Sequence, residues 1–232
     1  MKRILTILVV MILSVLSMMG ESITAVQPTV GSGTEASPYE IASAANLVWF
    51  AQQVNGGSNT ICGKLTADID LGDDQTMIGT ETYRYKGVFD GQHHTVTIHY
   101  VSNEDYTALF RFTYSAIIKN VNTDGSITTS ARYAGGIVGD GGSEYHGRMK
   151  TPLEAEAGPI MNCGSSVTIT STYEGAAYHG GIVGSLSKGG CNLICCSFTG
   201  SLLGEKSTSC GGLIGMSVYD IYINSCLFLP KE

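Results

Sequence analysis

Apolar residues along this chain come in pairs and short runs set off by glycine. Ile137-Val138 stands between Gly135-Gly136 and Gly139, Ile182-Val183 between Gly180-Gly181 and Gly184, and Leu213-Ile214 between Gly211-Gly212 and Gly215. A degenerate earlier copy is Ala108-Leu109-Phe110-Arg111. Two apolar residues bracketed by glycine are too short for a helix and suit a short buried strand entered and left by tight bends. A second pattern follows each copy: Ile118-Lys119-Asn120-Val121 then Gly125-Ser126-Ile127, Ile160-Met161-Asn162-Cys163 then Val167-Thr168-Ile169, and Ile194-Cys195-Cys196 then Gly200-Ser201-Leu202. After Gly215 comes Ile223-Asn224-Ser225-Cys226. Each unit therefore predicts three short strands joined by polar bends. The Gly-Gly pairs step from 135 to 180 to 211, which gives a unit of about 30 residues with one insertion. One such unit cannot bury its own apolar face, whereas stacked copies can, with backbone hydrogen bonds running between units. The fold predicted is all-β, a parallel β-solenoid. The alternative is a sandwich or barrel of short strands, in which no phrase needs to recur in register.

Upstream of the repeats the pattern changes. Pro38-Tyr39-Glu40-Ile41 reads as a short strand. In the stretch from Ser43 to Val54, Leu47, Phe50, Ala51 and Val54 fall at i, i+3, i+4 and i+7, one face of a helix. Ser43 is placed to cap its start, and Asn55-Gly56-Gly57 to end it. A stack of strands needs a cap, because its first layer otherwise exposes apolar side chains and unpaired edges. The helix is predicted to be that cap. Leu65 to Leu71 alternates as a strand with one buried face. Asp68, Asp70, Asp73 and Asp74 accompany it; their spacing matches no calcium loop, and bonds from Asp side chains to backbone amides account for them. Tyr85 to Gly91 predicts a strand and an Asp-Gly turn.

At the N-terminus, Lys2 and Arg3 precede an apolar run from Ile4 to Leu16, too short to span a bilayer comfortably. A basic start, a short apolar centre and small or polar residues read as a secretory signal peptide, with an uncleaved membrane anchor as the alternative. The expected organisation is a signal over 1–25, a Gly/Ser/Thr/Pro linker over 26–37, a cap helix and first strands over 38–106, and repeats over 107–232. Localisation is accordingly expected to be secreted or at the cell surface, with no membrane span after cleavage. The final unit runs into Leu229-Pro230-Lys231-Glu232 with no predicted cap, which leaves capping by a partner, or a longer chain, as alternatives.

The phrase Gly-Gly-Ile-Val-Gly, with Ile-x-Asn-Cys between copies, resembles the GLUG-repeat family of bacterial secreted and surface proteins. The resemblance covers about Gly31 to the C-terminus, and the upstream Gly-x-Gly-Thr…Pro-Tyr-x-Ile stretch and helix agree with it. It implies a right-handed parallel β-helix, often part of larger adhesin-like or cell-surface proteins; similar repeats accompany the catalytic domain in some IgA-specific metallopeptidases. It implies no catalytic residue in the repeat. The family pattern Phe-Asp-Gly-x-Gly-His-Thr-Ile stands here as Phe89-Asp90-Gly91-Gln92-His93-His94-Thr95-Val96, so His93 replaces a glycine, a costly exchange where the backbone needs positive φ.

Composition narrows the function. The chain has 232 residues, 30 of them glycine, and a net charge of −7, which becomes −9 without Lys2 and Arg3. No basic patch is visible, so nucleic acid is not an expected partner. His-Glu-x-x-His, Gly-x-Ser-x-Gly and a phosphate-binding glycine loop are all missing from the sequence. A polysaccharide-cleaving β-helix would cluster Asp or Glu on one face, yet carboxylates are sparse on the repeats. No catalytic residue, cofactor or metal is therefore assigned. Cys163, Cys196 and Cys226, three of seven cysteines, share one repeat position and are expected to stack as small hydrophobes. A Cys191–Cys210 disulfide is an open alternative; a zinc site from Cys191, Cys195, Cys196 and Cys210 lacks paired C-x-x-C spacing.

The expected function is that of an exported, non-catalytic module for surface structure, adhesion or ligand binding. The alternatives are a carbohydrate-active enzyme, or the accessory repeat region of a larger surface peptidase. Candidate binding residues sit on the insertion between Gly139 and Ile160 (Tyr145, His146 and Arg148) and on what reads as the same bend one unit on (Tyr173, Tyr178 and His179). A glycan or a surface protein is the expected ligand.

Overall fold

The computed structural model describes residues 22–144 and 158–231. Most of the expected signal, and Tyr145, His146 and Arg148, lie outside those residues. Apart from one helix, Ala44–Asn55, the described chain is built from short strands, and every strand pairing among them is parallel. Antiparallel pairs, on which a sandwich of short strands would rest, do not occur among the described residues.

The strands collect into three main sheets, to each of which the successive units contribute. One has seven strands: Tyr39–Ile41, Gly63–Leu65, Val88–Asp90, Ile117–Lys119, Ile160–Met161, Cys191–Ile194 and Ile221–Asn224. A second has four: Phe110–Phe112, Val138–Gly142, Val183–Lys188 and Ile214–Ser217. The third is centred on Thr95–Ser102, Asn122–Thr129, Thr168–Ser171 and Ser201–Leu203. Register follows the repeat. Val183 pairs with Val138 on one side and Ile214 on the other, and Gly180 with Gly135 and Gly211. The degenerate copy holds the same place, because Phe110 pairs with Val138. Ile127, Ile169, Ile182, Val183 and Leu193 are all fully or nearly fully buried, so the local alternation expected of half-buried strands is realised as one continuous core.

The second glycine of each pair is required by what lies beneath it. A Cβ on Gly136 would stand 2.3 Å from Ser165 Oγ, one on Gly181 2.2 Å from Phe198 Cγ, and one on Gly212 2.8 Å from the Phe228 ring. Each of those partners lies on a strand of the third sheet in the same unit; Ser165 and Phe198 are buried, and Phe228 is about half exposed. Glycine is therefore needed there for close approach rather than for an unusual φ.

The helix caps the first layer as predicted. Ser43 accepts a hydrogen bond from the Asn46 amide at 3.3 Å, and Gly56 closes the other end on Gln52. Leu47, Phe50, Ala51 and Val54 are buried, and the Phe50 ring meets Tyr85 and Phe89 edge-on at 5.9 and 5.6 Å. Residues 26–37, expected as a linker, are bonded onto this cap: the Val26 amide donates to the Ala45 carbonyl and the Cys62 amide to the Gly33 carbonyl.

Three of the four clustered aspartates are spent on backbone amides. Asp70 Oδ1 takes the Gly72 amide at 2.8 Å, Asp74 Oδ1 the Thr76 amide at 2.8 Å, and Asp68 Oδ1 the Thr95 amide at 2.8 Å. The Thr95 amide, with His94 beside it, holds the Asp68 carboxyl below its ordinary value. At the departure from the glycine pattern, His93 stands at φ +65°, so the turn keeps its left-handed backbone with a non-glycine residue.

All seven cysteines are free. Cys163, Cys196 and Cys226 stack as expected, and each thiol reaches the carbonyl two residues back and one on the preceding unit: Cys196 Sγ lies 3.4 Å from Ile194 O and 3.3 Å from Ile160 O. The alternative pair is not bonded: Cys191 is buried against the Gly158 carbonyl, its thiol pushed up to about 12 by burial, while Cys210 is exposed and reaches Ala177 O.

Candidate ligand-binding surfaces

The chain enters each Gly-Gly bend through a short strand, Tyr133–Gly135 in one unit and Tyr178–Gly180 in the next, and these pair residue for residue. Because the pairing is parallel and in register, identical positions stand one above another. Tyr133 stacks on Tyr178 with centroids 5.6 Å apart and planes 22° apart, and on Tyr106 at 4.8 Å and 18°. Arg132 lies over both Tyr178 and Tyr133, at 4.9 and 5.6 Å, and its Nε donates to the Ala176 carbonyl. At the other end Tyr106 tilts against Phe112, on which Arg84 and Arg111 also rest. Burial, with Asp140 next in weight, pushes the Tyr106 phenol up to about 12, so the hydroxyl stays protonated at neutral pH.

The ladder therefore consumes its own ring faces. Tyr133 is covered on both sides by other tyrosines, and what it turns outward is ring edge and hydroxyl. A sugar ring that stacks on aromatic faces finds no free face on Tyr133. This arrangement is a set of offset-stacked pairs with a cation over them, each of which contributes to stability.

Of the residues expected at a binding surface, Tyr178 joins the ladder and Tyr173 is half-buried beside it. His179 does not face solvent. It is 2% exposed, because alternation within Tyr178–Gly180 turns every second side chain inward. Its Nε2 lies 2.9 Å from Ser171 Oγ, and its Nδ1 has no hydrogen-bond partner. Burial lowers its pKa to about 4, with Asp105 opposing weakly. A neutral buried histidine makes stability fall with acid. The unfolded chain takes up the proton near 6.5 and the folded chain only near 4, so this contribution is full above about pH 6.5 and is lost as pH falls towards 4. The melting temperature of wild type should drop between pH 6.5 and 4 by more than that of His179→Gln; parallel curves would show that His179 is not linked to folding.

The expected bend is also corrected. The insertion leaves the chain after Gly142, which pairs with Lys188, whereas Tyr178 pairs with Tyr133, ahead of the Gly-Gly turn. The strand Val138–Gly142, about 16 Å long at 3.3 Å per residue, lies between the two bends. Asp140, counted in sequence as the start of the insertion, belongs to that strand. It is 1% exposed and ion-pairs with Arg84 at 2.8 Å while accepting from the Ser187 amide and hydroxyl. The sequence reading missed Tyr106, Tyr133 and Arg132; of these Tyr133 had a signal, because Tyr-x-Gly-Gly opens the copies at Gly135 and Gly180 alike.

A different face of the molecule is polar and flat. On the third sheet Val96, Ile98 and Tyr100 point inward, as do Ile127 and Ile169, so Thr97 and His99, Ser126 and Thr128, and Thr168 and Thr170 point outward. Beside them a shallow groove of 280 Å³ runs where Gly164 leaves out a side chain between Asn122 and Ser197. Among the described residues, no group of three His, Cys, Asp or Glu is placed to hold a metal ion. No helix among them is long and apolar enough to cross a membrane.

No protein-family model matches the sequence. No curated protein matches it either. Among solved structures, the chain is similar to a crystal structure of a Bacteroides ovatus protein described as a putative immunoglobulin A1 protease, at 20% identity and a TM-score of 0.57, over 88% of this chain and 69% of that one. At that identity the likeness is one of fold.

Proposed function

We propose that this chain is an exported, non-catalytic module of the cell surface or the secreted fraction, a right-handed parallel β-solenoid of GLUG type that serves surface structure, adhesion or ligand binding. The observation that carries this reading is the in-register stacking of the glycine phrase, with Gly135, Gly180 and Gly211 aligned on successive units. Such stacking builds long faces of repeated side chains, the form of surface that repeat proteins use for binding. The charged groups buried in it serve the fold, as the Arg84–Asp140 pair does.

The structural neighbour favours a second reading, in which the module accompanies a peptidase domain as an accessory region. Both readings expect no proteolysis by this chain itself. Purified residues 26–232 incubated with immunoglobulin A1 should leave the heavy chain intact on a gel; a discrete cleavage product, absent from a buffer control, would overturn the non-catalytic assignment. Export is tested separately. Mass spectrometry of protein from the culture medium or cell surface should find a mature N-terminus between about residues 20 and 26, the usual signal length. Intact Met1 in exported material would sink the signal reading.

A further inference from the structure

Parallel pairing puts the outward residues of the third sheet in rows that cross the units. His99, Ser126, Thr168 and Ser201 form one row, and Thr128 and Thr170 stand side by side in the next, between the exposed side chains of Val101 and Leu203. Neighbours within a row are about 4.8 Å apart and the rows about 6.6 Å apart, as strand geometry dictates. The result is a patch of hydroxyls at fixed spacing, with an apolar side chain at either end of the second row. Thr128, Thr168 and Thr170 make no side-chain hydrogen bond to another described residue, so the fold leaves these hydroxyls unused. His99 is held to Ser126, with Nδ1 3.1 Å from Oγ.

What the patch lacks decides the partner. These two rows present no lysine or arginine, so an anionic polymer finds no counter-charge. They present no tryptophan, tyrosine or phenylalanine, the anchors on which protein interfaces depend. Outside the two rows, Asp124 is already bonded to Ser166 Oγ at 2.8 Å. A surface of regularly spaced hydroxyls flanked by the apolar Val101 and Leu203 matches a ligand that is itself neutral and polyhydroxylated and that also carries C–H faces. The spacing repeats with every unit and is close to the length of one sugar in an extended chain, which favours a polymer over a single sugar.

We infer that this face binds a neutral polysaccharide lying across the units, with successive sugars hydrogen-bonded to hydroxyls on successive units. The inference rests on the ligand-binding part of the proposed function and names its surface and its ligand class. Each contact is weak alone, so affinity should climb with oligosaccharide length, through the same summation that governs multivalent binding.

The test is affinity electrophoresis of residues 26–232 in gels containing β-glucan, mannan, xylan or heparin, followed by calorimetry with oligosaccharides of increasing length from whichever polymer retards the protein. A neutral polymer is expected to retard it, and heparin is not. Thr128→Val/Thr168→Val/Thr170→Val, which removes three hydroxyls while keeping shape and strand propensity, should weaken binding about tenfold or more, as loss of several linked contacts does. Its circular dichroism and melting temperature should match wild type. Thr170→Lys alone, outside the core, should weaken binding too and provides the readout if the triple variant does not fold. Tyr178→Ala, on the other bend, should bind as wild type does. If binding survives the threonine changes and is lost in Tyr178→Ala, this inference falls while the ligand-binding reading stands. Failure of every neutral polymer to retard wild type overturns the inference outright.

Discussion

Gly181→Val is expected to lower the melting temperature by about 10 °C, from a loss of about 3 kcal/mol spread over a chain of this size. The loss begins at the first added carbon. A Cβ at this position would stand 2.2 Å from Phe198 Cγ and 2.4 Å from the Gly212 carbonyl oxygen of the next unit. One of those atoms belongs to a ring that is completely buried, and the other to backbone that already accepts the Gly181 amide at 3.2 Å. Neither moves without opening the stack. Gly181→Ala should therefore show most of the effect of valine, whereas a position that merely disfavours bulk would separate the two. Phe198→Ala in the Gly181→Ala background should recover part of the ring clash, although it adds the cost of a cavity. Thermal denaturation of the single variants decides the matter: a midpoint within a degree of wild type for Gly181→Ala would show that the bend has room.

Phe50→Ala is expected to cost about 3–5 kcal/mol, as truncation of a fully buried phenylalanine does. The ring is 0% exposed and closes the first layer against Tyr85 and Phe89. Gly63 lies directly beneath it, where a Cβ would be 2.9 Å from Phe50 Cε2. Loss of the ring leaves a void bounded by aromatic side chains that are themselves fixed by packing on Phe110, so collapse around it is limited. Urea denaturation should give a lower midpoint with unchanged slope, the sign of lost stability without a change in exposed surface. A fall of less than about 1 kcal/mol, the cost typical of an average substitution, would mean that the helix covers the stack without sealing it.

Much of this architecture is local and was legible. The Gly-Gly-apolar-apolar-Gly phrase marks a strand and its bends within five residues, and its recurrence predicts the pairing of Val183 with Val138 and Ile214. The cap helix was legible from one apolar stripe and one serine, because a period of 3.6 and an N-cap are properties of a dozen adjacent residues. The cysteine stack followed from the repeat by the same logic.

The candidate surfaces were less legible. Tyr145, His146 and Arg148 lie outside the described residues, and the supposed common bend proved to be two bends. Distance along the chain does not say which side of a strand a bend falls on; only the hydrogen-bond register does. His179 was placed outside because its type suggested contact chemistry, although its counterpart one unit earlier is the buried Ala134. Aligning Tyr133-Ala134-Gly135 with Tyr178-His179-Gly180 would have turned it inward.

The sequence by itself determined the period, the cap helix and the inward side of the strands that alternate, because hydrophobic alternation and glycine bends act over a few residues. Tertiary structure alone decided which outward residues become neighbours. Tyr106, Tyr133 and Tyr178 become a ladder that spends its own faces, and Ser126, Thr128, Thr168 and Thr170 become a patch of hydroxyls. Those neighbourhoods join residues about 30 to 45 positions apart, and they exist because parallel strands pair at one fixed register and about 4.8 Å.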